Sequence, residues 1–225
     1  MKMKKSTLAI ILGGALLTGT AVAHQAGDVI FRAGAVHVKA NSSSDAKSKA
    51  ATGIDVDLEV KNNTQLGLTA TYMLADNVGI ELLGATPFSH KINAKAKVLE
   101  SGAEVDLDRV VILKQLPPSL YAQYYFFELT AKVKPYVGAG LNYTRFYHAK
   151  SVSPAVTDLS VKKHSFGPVA NLGVDVKLTD NIYFNAAAWY TRIKTTAKFK
   201  AAGADHEVKV KLDPVVLFAG FGVKF

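Results

Sequence analysis

The sequence predicts an all-β fold, an eight-stranded antiparallel transmembrane β-barrel, and three observations carry that prediction. Residues 1–23 read as an export leader. Beyond them the chain is rich in apolar residues, 49% over the whole sequence, yet holds no apolar run of the roughly 18 residues that a spanning helix needs. It holds instead eight segments in which every second residue is apolar, the period of a strand with two unlike faces. Only helices and closed barrels satisfy their backbone polar groups in lipid, so an exported apolar chain without such a helix points to a barrel. A periplasmic β-sandwich is the plainer alternative.

The leader has the expected three parts. Lys2, Lys4 and Lys5 form a basic start, Leu8 to Leu17 an apolar core about half as long as a span, and Ala21-Val22-Ala23 a cleavage site, so the mature chain should begin at His24 and form one domain, 24–225. There is no cysteine, which excludes disulfides and thiolate metal sites. The net charge of +9 includes the three leader lysines, and an exported chain is not expected to meet nucleic acid. The other lysines gather in expected loops and outer strand ends, among them Lys95, Lys97, Lys198 and Lys200. Outer-membrane lipid, with the phosphates of lipopolysaccharide, is the partner such loops would meet; a merely solvated rim fits equally well.

Taken in order, the strands are expected near 28–39, 54–74, 78–91, 110–127, 134–148, 159–178, 182–200 and 208–225. The second shows the alternation well, with Leu66, Leu68, Ala70 and Tyr72 outward against Gln65, Gly67, Thr69 and Thr71. Asp76-Asn77 and Asp180-Asn181 mark tight turns, because Asp and Asn adopt turn geometry locally. Pro117-Pro118 interrupt the fourth strand, since neither can donate to a ladder. Residues 41–49, 93–108 and 201–206 read as polar loops. Connections after strands 2, 4 and 6 are short and the others longer, the pattern of outer-membrane barrels with short periplasmic turns and long external loops. Tyr72, Tyr124, Tyr125, Phe126, Tyr136 and Phe225 fall near the short-turn end, where an aromatic girdle belongs. The last strand closes on Phe225, the aromatic end that barrel-assembly machinery would engage.

Five segments have a familiar order and spacing: Asn62-Asn63-Thr64-Gln65-Leu66-Gly67-Leu68, Leu82-Leu83-Gly84-Ala85-Thr86-Pro87-Phe88, Leu116-Pro117-Pro118, Lys134-Pro135-Tyr136-Val137-Gly138-Ala139-Gly140 and Leu212-Asp213-Pro214. Together they resemble the OmpW family of outer-membrane proteins, across essentially the whole mature chain. The resemblance implies an eight-stranded barrel with an unusually hydrophobic lumen and a role in passing small hydrophobic compounds. It also implies that a Leu and a Trp narrow the lumen; these match Leu83 and Trp189, which strand parity turns inward as well. The loops, 93–108 above all, depart from the family, so loop-borne receptor roles do not carry over.

Side chains nearly fill an eight-stranded lumen, so an open aqueous pore is not expected. Inward parity near the short-turn end assembles Arg32, Glu81, Asp175 and Lys224 with Gln65, Gln123, Asn171 and Asn185. Two acids against two bases suggest a neutralised polar plug, since an unpaired buried charge is costly. Farther out the inward positions turn apolar: Val210, Leu212, Val216 and Phe218, with Leu83 and Trp189. A greasy lumen over a polar base suits a hydrophobic ligand that leaves sideways at Pro117-Pro118; simple core packing is the plainer reading. Catalysis is not expected. Adjacent Ser89 and His90 face opposite ways, His90 outward by parity, and no metal spacing or cofactor motif is present. The competing function is a structural or surface-interaction barrel with an inert lumen.

Overall fold

A computed structural model describes residues 24–128 and 131–225; the leader, 1–23, lies outside the described residues. The elements are β1 (Val29–Lys39), β2 (Ser43–Ala46), α1 (Lys49–Thr52), β3 (Ile54–Val60), β4 (Asn63–Ala75), β5 (Val78–Ala85), β6 (Phe88–Val98), β7 (Glu104–Leu116), β8 (Ser119–Tyr125), β9 (Val133–Ser151), β10 (Thr157–Val161), β11 (His164–Lys177), β12 (Ile182–Thr191), β13 (Lys194–Ala201), β14 (Ala204–Lys211) and β15 (Val215–Lys224). Eight of them close a ring of antiparallel neighbours, β1-β4-β5-β8-β9-β11-β12-β15 and back to β1. The alternation that predicts the strands sets their faces. Phe31, Leu68, Leu82, Leu141, Phe166, Leu172 and Phe221 stand exposed on the outside, while Arg32, Thr69, Glu81, Asn171, Asn185 and Trp189 are buried inside.

Most expected strands are in fact two. Breaks at 61–62, 86–87, 117–118, 162–163, 192–193 and 212–214 divide them at one level of the barrel, and only β9 runs through, over 19 residues. Prolines 87, 117, 118 and 214 explain three of these breaks, because each lacks the N–H that a ladder needs. Above that level the chain forms a second enclosure. One wall is β3-β6-β7 with the upper half of β9, the other β10-β13-β14-β2. Ser44 Oγ bridges the seam between β2 and β3, donating to Asp57 and accepting from the Leu58 amide. Apolar residues such as Val56, Leu113, Phe146, Phe199, Val208 and Val210 fill this outer cup.

Two expected loops are therefore hairpins. Residues 93–108 continue as β6 and β7 around a short turn, with Lys95 opposite Asp106 and Lys97 opposite Glu104. Residues 201–206 reduce to a two-residue turn at Ala202-Gly203, both with positive φ, of 51° and 75°. Loop 41–49 contains β2. Residues 93–108 read as a loop because one face is charged, but the alternate positions Ala94, Ala96 and Leu107 are apolar and line the cup. Of the lysines that read as a basic outer rim, Lys95, Lys97, Lys198 and Lys200 pair across strands with Asp106, Glu104, Glu207 and Asp158.

Candidate functional site

At the short-turn end the lumen is filled by one polar cluster centred on Arg32, which is 2% exposed. Its Nη1 donates to Glu81 Oε2 at 2.6 Å and to Thr71 Oγ1 at 2.7 Å. Its Nε and Nη2 grip Asp175 as a fork, at 3.1 and 2.5 Å, and Nη2 also donates to the Tyr125 hydroxyl at 3.1 Å. Tyr121 donates to the other Glu81 oxygen. His24 Nε2, at 2.7 Å, and Asn185 Nδ2, at 2.8 Å, complete the shell of Asp175. A guanidinium shared by two carboxylates, each further hydrogen-bonded, is how a buried ion cluster becomes tolerable.

Three of the four expected plug residues meet here, Arg32, Glu81 and Asp175. Lys224 does not. It lies near the strand end, 3.4 Å from Asp28, with its side chain partly exposed. Two members of the cluster were not foreseen: Lys134, 1% exposed and cross-strand from Asp175, and His24, whose ring bonds Asp175. Gln65 also sits elsewhere, bonded to Asn63 and Thr86 at the level of the breaks. Of the expected girdle, Tyr72, Tyr124, Phe126 and Phe225 face outward, but Tyr125 and Tyr136 are buried in the plug. Their parity was inward all along, and an aromatic near a barrel end reads the same in sequence on either face.

Trp189 stands on this cluster, donating through Nε1 to the Tyr121 hydroxyl at 2.8 Å. It lines a lower cavity of about 30 Å³ together with Leu83, Val36, Phe88, Pro117 and Val216. Phe218 packs edge-on against Trp189, with ring centroids 6.1 Å apart. An upper cavity of about 90 Å³ lies within the cup, walled almost wholly by apolar side chains that include Val210 and Leu212. Of the expected apolar lumen residues, Val210 and Leu212 line the upper chamber, Leu83, Trp189 and Val216 the lower, and Phe218 neither; Gln115 borders both chambers. His90, expected outward, is buried against Gln115 at 2.9 Å. Its parity reverses because the break at Thr86-Pro87 inserts a residue: Leu83 and Ala85 have inward parity in β5, Phe88 and His90 in β6.

The barrel wall is interrupted beside the lower cavity. The β5–β8 ladder ends at Leu83↔Ser119, and pairing resumes only at Phe88↔Gln115 between β6 and β7. The facing segments, 84–87 and 116–118, carry three prolines. The far edge of this notch is fastened to β9: Asn142 Nδ2 donates to the carbonyls of Pro117 and Pro118, each at 3.2 Å, and the Tyr143 amide to that of Pro118 at 3.0 Å. Leu83 and Gly84 line the inner cavity and also an outer apolar groove of about 630 Å³ that runs past Pro118 to Phe31 and Phe221.

A belt of cations rings the outside just above the apolar band. Lys61, Lys91, Lys114, Arg145, Arg192, Lys194 and Lys211 are all exposed. Lys61 pairs with Glu59. The other six have no carboxylate partner among the described residues.

An apolar outer band, a closed ring of eight antiparallel strands and a buried polar cluster at one end define a small outer-membrane barrel. Residues 25–225 match the OmpW family, and the chain belongs to it. It is 40% identical to "Outer membrane protein W" of Escherichia coli K12, covering 99% of this chain and all of that one. The crystal structure of the outer membrane protein OprG from Pseudomonas aeruginosa superposes with a TM-score of 0.78 at 35% identity, over 90% of this chain and 98% of that one. A relative from Pseudomonas aeruginosa, 23% identical over 48% of this chain and 50% of its own, is named as a dibenzothiophene metabolism operon protein. The protein is an outer-membrane barrel, and its relatives at 40% identity are named as outer-membrane proteins, not as enzymes.

Proposed function

We propose that this barrel binds small hydrophobic molecules in the apolar cup, passes them to the Leu83–Trp189 level and releases them sideways into the membrane. The observation that carries the reading is the unpaired notch between 84–87 and 116–118, set beside the lower cavity and directly above a sealed plug. A hydrophobic molecule meets charge below and lipid to the side, so the sideways path is the favourable one. The wall there lacks ladder hydrogen bonds, and opening it breaks little backbone pairing. The lower cavity has room for a water rather than a ligand, so passage requires Leu83 and Trp189 to part. Arg32, Glu81 and Asp175 act in this reading as the barrier to water and ions. A relative named for the metabolism of an apolar ring compound is consistent with it.

In this reading the cation belt meets the phosphates of lipopolysaccharide at the outer surface, with the cup outside the cell and both ends of the barrel in the periplasm. The strand ending at Phe225, whose ring meets Phe31 edge-on at 6.0 Å, is the segment assembly machinery would engage.

The test uses the single tryptophan. The protein in lipid bilayers is titrated with an alkyl amine oxide, an amphiphile, while Trp189 emission is followed, with Leu83→Phe as the blocked form. The expected result is a saturable change that the block weakens at least tenfold. No saturable change in the intact protein would favour the second reading, a surface or structural barrel, which the tight packing at Leu83 and Trp189 supports.

A further inference from the structure

The two cavities meet at one polar pair. Gln115, on β7, is the residue common to both linings, and it is 3% exposed. His90 fixes the orientation of its amide. His90 Nδ1 lies 2.9 Å from the Lys61 carbonyl, which can only accept, so Nδ1 carries the proton. The Nε2 of the neutral ring is then an acceptor, and Gln115 Nε2 donates to it across 2.9 Å. Phe88 stacks on the imidazole at 6.0 Å and 21°, holding the ring in place. The amide cannot turn over without setting its oxygen against the Nε2 lone pair. Gln115 Oε1 is therefore left as an acceptor, buried, with no hydrogen-bond partner among the described residues. The other polar side chains lining either cavity hold no fully buried atom in that state. Asn142, Ser119 and Thr195, for example, are bonded.

A buried acceptor held without a donor favours any ligand that brings one, and it discriminates against a same-shaped ligand that does not. Resting on the transport reading above, we propose that Gln115 is a ligand-recognition residue at the passage between the two cavities. Its Oε1 accepts a hydrogen bond from the single hydroxyl or N–H of an otherwise apolar molecule. The substrate class is thereby narrowed from hydrocarbons to monofunctional amphiphiles such as alcohols. The surrounding side chains, Leu113, Ile92 and Phe88, supply apolar contact and no competing donor. His90 is a positioning residue, acting through the amide it orients.

The experiment compares 1-octanol with octyl methyl ether, which shares its apolar bulk but has no donor. Binding to the full chain in bilayers is followed through Trp189. The intact protein should prefer the alcohol by about fivefold or more, the free-energy scale of one net hydrogen bond. Gln115→Met, similar in bulk but without the acceptor, should bring the two affinities to within about twofold while the ether still binds, which also shows that the variant is folded. Equal affinities in the intact protein would overturn the proposal and leave the transport reading standing. So would an alcohol preference that survives Gln115→Met. Saturable binding of neither probe would overturn both.

Discussion

Replacing Arg32 by methionine is the perturbation that asks most of the plug. Methionine keeps much of the bulk and removes every donor. The structure gives Arg32 five hydrogen bonds, three of them to carboxylate oxygens of Glu81 and Asp175. Glu81 would retain the Thr71 and Tyr121 hydroxyls, and Asp175 would retain His24 and Asn185, so neither becomes wholly unsatisfied. Breaking a buried ion cluster by removing one partner costs about 3–5 kcal/mol, and the retained bonds put the expected loss at the lower end, about 3 kcal/mol. The assay is reversible guanidinium unfolding of the protein in phospholipid vesicles, followed by Trp189 emission. The triple variant Arg32→Met, Glu81→Gln, Asp175→Asn carries no stranded charge and should recover more than half of that loss. A loss below about 1 kcal/mol in the single variant, or a triple variant less stable than the single one, would refute the reasoning.

Other outcomes follow from the same geometry. Gly34→Ala should cost about 1–3 kcal/mol, because a Cβ there would lie 2.2 Å from the Ala219 carbonyl oxygen, whereas Gly84→Ala meets nothing within 4 Å and should be near neutral in the same unfolding assay. Changing Lys91, Lys114 and Arg145 together to glutamine should reduce the thermal stabilisation conferred by lipopolysaccharide, with a weaker salt dependence of that stabilisation. Hydrogen bonding from Lys97 and Lys198 holds Glu104 and Glu207 below the usual carboxylate range. Depressed carboxylates contribute stability that is complete above their unfolded range and is lost as pH falls through the folded values. Acid should therefore loosen the outer hairpins slightly, and added salt should abolish that difference; hydrogen exchange of the β6–β7 and β13–β14 amides reads it.

The ring of eight strands was legible because period two needs only local sequence and each strand has one face in lipid. Phe31, Leu68 and Phe221 on one parity, with Arg32, Thr69 and Gly222 on the other, leave no second assignment. Residues 93–108 failed that test for a physical reason. Their outer face carries paired lysines and acids in water, so half of the amphipathic signal resembles a loop. Arg32, Glu81 and Asp175 could be grouped from parity alone, but depth along a tilted strand is set by register, and that separated Lys224 from the plug and admitted Lys134. His24 gave no strand signal at all. His90 was misassigned because Pro87 inserts a residue into the count, a break visible in sequence whose effect on parity was not. Parity turned Val210, Leu212 and Val216 inward, but their division between two cavities depends on the cup, which parity does not describe.

In the proposed route the lumen empties through the notch. The most direct measurement is uptake of the apolar fluorophore N-phenyl-1-naphthylamine by cells carrying the intact protein or the variant Pro87→Val, Pro117→Thr, Pro118→Val, which restores three backbone donors to the wall. Closing the notch should bring uptake to the level of cells lacking the protein, with the amount of folded barrel unchanged. Uptake that persists in the closed-notch variant and rises instead when Arg32 is replaced would contradict the account and place the exit through the base.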